Sequence, residues 1–131
     1  MNLVDKLLQI DKEEPKKKIT GEYESKRLKK MIGDGTILIE KIPERKIKEY
    51  QAMMMDNRGS VNNNMIFDGM LLIDVEGIKN PNLKNQELME HFGAATPKDL
   101  AEILFDGEIE EIGDAIVSLG KNEDVTDTVK N

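Results

Sequence analysis

At 131 residues, with 38% hydrophobic and 34% charged side chains, the chain has length for one core and too little for two comfortable domains. The complete lack of cysteine excludes disulfides, thiolate catalysis and cysteine-bound zinc, and it suits a reducing cytoplasm. The net charge of −7 is split into +3 through Met65 (14 basic, 11 acidic) and −10 from Ile66 onward (5 basic, 15 acidic), which argues against a whole-surface nucleic-acid binder.

Three Phe, two Tyr and no Trp leave the core to Leu, Ile, Val and Met. No apolar run approaches the ~18 residues of a membrane span, and MNLVDKLLQIDKEE does not read as a secretory signal. In residues 1–9, Leu3, Val4, Leu7 and Leu8 have amphipathic helix spacing. Such a helix is too short to be stable alone, so it must dock on the body, dock on a second subunit of a homo-oligomer, or fray. Residues 10–18, with Pro15 in a dense charge run, read as a linker. The lysines at 16–18 and 26–30 are interleaved with Glu13, Glu14, Glu22 and Glu24 and have no stacking aromatics, so they read as solvated surface.

Thr36–Ile39 (TILI) is the best strand signal, and Gly33-Asp34-Gly35 is a turn signal before it. The pairing strand is expected at Gly21–Leu28, although only Tyr23 and Leu28 are apolar there. Together they predict a β-hairpin that needs helices beneath it. Pro43 opens a predicted helix to about Met55, with Ile47, Tyr50, Met54 and, at its edge, Met53 inward; Asp56–Asn64 (DNRGSVNNN) is a loop by composition. Met65–Ile78 (MIFDGMLLIDVEGI) is apolar nearly all round a helix, interrupted only by Asp68, Asp74 and Glu76, and is predicted to be central and buried on several sides.

Asn80-Pro81-Asn82 ends that helix, and Asn85–Phe92 forms the next, with Leu88, Met89 and Phe92 on its apolar side and Gly93 closing it. Thr96 caps a further helix with Pro97 in its first turn, followed by Leu100, Ile103 and Leu104. Asp106 is expected to open the last helix, with Ile109, Ile112, Ile116 and Leu119 along one side and Gly120 at its end. The remainder, KNEDVTDTVKN, is polar and has no stable element of its own.

Nothing in these elements calls for catalysis. His91 is the only histidine and has no credible Ser or Cys partner. Glu108, Glu110, Glu111 and Asp114 read as acidic residues favourable at a helix N-terminus; divalent-cation binding, as in a metal-dependent hydrolase, is the weaker alternative. Asp56–Ser60 lacks the alternating ligands and the distal glutamate of a calcium loop. The eight methionines include Met53-Met54-Met55, Met65 and Met70 in adjoining helices. Core filling competes there with an adaptable apolar binding surface.

The short N-terminal segment, EYESKRL…TILIEKIP, and the run LKNQELMEHFGAATPKDLAEILFDGEIEEIGDAIVSL, with VKN at the end, together resemble the XkdN-like phage tail assembly chaperones. The resemblance covers most of residues 20–120, is densest from Asp74 onward and carries nothing over for Met53–Asn64. It implies a non-enzymatic protein in the cytoplasm of the bacterial host, absent from the mature virion. It also implies binding to the helical tape measure protein and, through a frameshifted extension, to tail tube protein. The runner-up is a small structural or adaptor protein of the tail or head–tail junction. No catalytic, cofactor or metal residue is carried over.

The sequence therefore predicts a mainly α-helical α+β single domain of about five helices with one N-terminal β-hairpin. Residues 1–18 are a helix and linker, 19–120 the globular domain and 121–131 a polar tail. Leu3, Leu7, Leu8, Met53, Met54 and Met70 are the expected partner contacts.

Overall fold

The computed structural model describes residues 2–121, so the tail expected at 121–131 lies outside the described residues beyond Lys121. In chain order the elements are α1 (Leu3–Leu8), a 3-10 turn (Glu14–Lys16), β1 (Thr20–Glu24), α2 (Lys26–Ile32), β2 (Thr36–Glu40), α3 (Glu44–Ala52) and α4 (Asn63–Gly77). They continue with β3 (Ile78–Asn80), α5 (Gln86–Phe92), α6 (Pro97–Leu104) and α7 (Ile109–Ser118). The fold is α+β, but with seven α-helices and a three-stranded antiparallel sheet among the described residues, not five helices and one hairpin.

One added helix comes from the supposed hairpin, and α1, expected in the separate segment 1–18, makes up the rest of the count. β1 does pair with β2, from Thr20↔Glu40 to Glu24↔Thr36, yet the connection is α2 and not a tight turn. Ser25 caps α2 by accepting from Leu28 N, and Gly33, at φ 82°, ends it in the left-handed conformation. Leu28 is therefore a buried helix residue, not a strand residue. The weak alternation of β1 has a packing cause. Gly21 faces inward, where a side chain would meet Leu119 Cδ2 at 2.8 Å, so a residue from beyond α7 fills that place.

The third strand comes from the end of the central helix. α4 stops at Gly77, and Ile78 turns into extended backbone beside Ile39, with an irregularity in the ladder between Leu38 and Ile39. Ile78 remains buried, so its apolar character served a sheet edge and not another helical turn. Ile37 and Ile39 point from central β2 into the core, while Leu38 stays on the partly exposed outer face.

α4 is central, as its all-round apolarity implies, and packs against α3, α6 and α7. Its crossing with α7 is close because two glycines lie in the seam. A methyl group on Gly77 would meet Ile116 at 2.6 Å, and one on Gly113 would meet Met70 Sδ at 2.9 Å. The local capping signals also appear. Thr96 accepts from Asp99 N at 3.2 Å and Asn85 accepts from Leu88 N at 2.8 Å. The last helix opens at Ile109, after Glu108, and not at Asp106.

One buried group in this core is unsatisfied. Asp74, on α4, is fully buried, and neither carboxylate oxygen has a hydrogen-bond partner. Burial, and then the like charge of Asp114 on α7, pushes its carboxyl up from 3.8 to about 9. A folded-state value above the unfolded one means that the native chain binds the extra proton. Stability from this group is thus complete below about pH 4 and is lost as pH rises towards 9. In urea titrations across pH 5–9, Asp74→Asn should lack a declining component of at most ~1.4 kcal/mol per pH unit that the native chain shows. Parallel profiles would show that Asp74 does not titrate with folding.

Candidate partner-binding surface

The position of α2 is set by residues far from it in sequence. Glu108, in the corner between α6 and α7, accepts from Ser25 Oγ at 2.6 Å and from Lys26 N at 3.0 Å, so its carboxylate covers the N-terminus of α2. In return, Arg27 donates from Nε to Leu104 O and from Nη2 to Ile103 O, both at 3.1 Å, covering the last carbonyls of α6. Each helix end supplies the charge that the other end's unpaired backbone groups favour. Phe105, fully buried in the same corner, accepts from Glu108 N through its carbonyl at 2.8 Å and fixes where that carboxylate starts.

Held this way, α2 forms one wall of an apolar groove of about 690 Å³. Buried Leu28, Ile37 and Leu104 form its base. Met31 and Ile32 rise on one side; Leu88, Phe92 and Ile103, from α5 and α6, rise on the other. Ile32 is 71% exposed and Met31 52%, which is large for neighbouring apolar side chains that no element of the fold covers. Arg27 and Asp34 are the charged residues lining it. A concavity of this size, with many apolar walls and few charges, suits side chains of a partner better than a reacting substrate.

The six expected contact residues do not form one face. Leu3, Leu7 and Leu8 are exposed on α1, a helix with no buried residue. Met53 is exposed just after α3. Met54 is half-buried, and its side chain lies over Gly69 between α3 and α4. Met70 is half-buried against Gly113 between α4 and α7. Met54 and Met70 thus serve two different helix interfaces, which is the core-filling use of methionine.

The groove residues had a sequence signal that the strand assignment obscured. Leu28, Met31 and Ile32 follow Ser25 at helix spacing and precede Gly33, a complete helix signature inside EYESKRLKKMIG. The role of Glu108 had none, since its partners lie 82 and 83 positions away.

The other candidate sites are simpler. Glu110, Glu111 and Asp114 are exposed on α7, while Glu108 turns inward to α2. This acidic side acts on Tyr23 of β1, whose phenol is pushed up to about 12, first by burial and then by Glu108 and Glu111. Among the described residues, no group of three His, Asp or Glu side chains is placed to hold a metal ion. His91 is exposed and lies edge-on to Phe92, with ring centres 4.8 Å apart. A second concavity, of about 450 Å³, lies between Tyr50, Glu76, Lys79 and Lys84 and is lined mainly by polar groups. No helix among the described residues is long and apolar enough to cross a membrane.

Comparison with known proteins gives no match among curated proteins and none among solved structures. The family model for the phage XkdN-like tail assembly chaperone protein matches residues 4–131. With nearly the whole length matched, from α1 through α7 and beyond, the chain belongs to the XkdN-like phage tail assembly chaperones.

Proposed function

We propose that this chain acts without catalysis, binding the tape measure protein of its tail and keeping it soluble in the host cytoplasm until tail tube assembly encloses it. The groove between α2, α5 and α6 carries the reading, because it leaves Met31, Ile32, Phe92 and Ile103 exposed on a folded body. An amphipathic helix laid in such a groove places apolar side chains at i, i+3, i+4 and i+7 against the two walls. Burying those stripes removes the surface through which long helices aggregate.

Release is as important as capture. Apolar walls spread over α2, α5 and α6 offer several moderate contacts, which suits a client that must later be surrendered to the tube. Leu3, Leu7, Leu8 and Met53 offer additional exposed contact surface, whereas Met54 and Met70 act through the packing that supports it. Recruitment of tail tube protein would belong to a frameshifted extension of the chain. A structural adaptor of the tail or head–tail junction is the alternative.

Co-expression with the tape measure protein tests capture. The native chain should hold the client in the soluble fraction, and Ile32→Asp or Phe92→Asp should weaken its recovery about tenfold, a loss of ~1.4 kcal/mol, with an unchanged circular dichroism spectrum. An insoluble client beside soluble native chain would contradict the reading. Undiminished capture by both variants would move the contact away from the groove. Mass spectrometry of purified virions separates the alternative, since a chaperone should be missing and an adaptor present in stoichiometric copy.

A further inference from the structure

We propose that the apolar groove is one part of a longer track that selects its client by charge, taking an amphipathic helix whose apolar stripe runs into acidic residues at its C-terminal end. This selection rests on the proposed function and names the class of helix taken. Three concavities follow one another along residues 78–85. Asn80 and Pro81 line both the groove of about 690 Å³ and a neighbouring shelf of about 500 Å³. Asn82 lines both that shelf and the concavity of about 450 Å³ beside Tyr50. Through these shared walls the surface passes from apolar side chains to amides and then to lysines.

The amides are fixed as donors. Asn82 Oδ1 accepts from Lys84 N at 3.0 Å and Asn85 Oδ1 accepts from Leu88 N at 2.8 Å, so each side chain has its NH2 group left to offer. The last carbonyls of a helix have no partner within it and carry partial negative charge, which suits such donors. Beyond the shelf, Lys79 and Lys84 are exposed at the rim of the last concavity, over buried Ile78 and Leu83. Neither lysine forms an ion pair among the described residues. Lys46 of α3 adds a third positive charge, 5.7 Å from the centre of the Tyr50 ring. Glu76, in the same wall, already accepts from the Tyr50 hydroxyl at 2.5 Å, and Glu87 borders the shelf. The charge balance sets this place apart. From Ile66 onward there are 5 basic and 15 acidic side chains, and two of those five basic ones meet here. An acidic helix end meets net repulsion from the rest of that half and attraction at this rim. Acidic residues at a helix C-terminus also oppose its macrodipole, so the lysines supply a partner that such a client lacks by itself.

Two fluorescein-labelled peptides test this without the tape measure protein. Each is an amphipathic leucine helix of ~20 residues, one ending in four glutamates and the other in four lysines. Anisotropy titrations with the full chain at ~50 mM NaCl should show the glutamate-ended peptide bound about tenfold more tightly, and ~500 mM NaCl should remove most of the difference. K79E/K84E changes exposed side chains and should invert the order, whereas I32D should weaken both peptides alike. Equal affinity of the two peptides for the native chain, or an unchanged preference in K79E/K84E, would overturn the proposal and leave capture in the groove standing. Failure of both peptides to bind would also overturn it. Recovery of the tape measure protein in co-expression then decides the proposed function on its own.

Discussion

The mutual capping of α2 and the α6–α7 corner is the constraint on which the apolar groove depends. Two helix ends that are far apart in sequence each carry unpaired backbone groups, and each end supplies the other's missing partner. Glu108 brings a carboxylate to the N–H end of α2, and Arg27 brings a guanidinium to the carbonyl end of α6. Hydrogen bonds to charged groups contribute about 1.5–3 kcal/mol each when buried and less when exposed, and they add to the hold of Leu28, the one buried residue of this seven-residue helix. This clamp, with the Ser25 cap and buried Leu28, places Met31 and Ile32 on a wall of the groove.

Between α4 and α7 lies a second constraint of opposite character. The α4–α7 seam is close because Gly77 and Gly113 admit Ile116 and Met70, yet Asp74 is shut into this interior with no partner. An isolated carboxylate there would be costly, so the group keeps its proton, as the value of about 9 expresses. The fold therefore combines a satisfied polar network at the α2 corner with an unsatisfied acid in its central helix pair. The first organises a surface; the second links folding to pH.

Much of the helical framework was legible because its signals are local. Thr96, Asn85 and Gly93 act within a few residues of themselves, and the all-round apolarity of 65–78 marks a central helix without knowledge of its neighbours. What escaped depended on distant partners. The sparse apolar pattern of 21–28 has its reason in Leu119, which fills the place beside Gly21, and Ile78 continues a helical pattern although its backbone pairs with Ile39. The groove escaped for the same reason. Its walls come from segments far apart in the chain, whereas the clustered Met54 and Met70 pack between helices. The family resemblance rests on the order of residues and not on their placement, so it holds whatever their positions in the fold.

The proposed function rests on exposed apolar geometry on a folded support. Hydrogen exchange of the free chain compared with its complex with the tape measure protein tests that most directly. New protection centred on residues 26–32, 86–92 and 101–104 is the expected result, since those segments carry the walls of the groove. Protection confined to 44–77, or a complex whose exchange pattern equals that of the free chain, would contradict it.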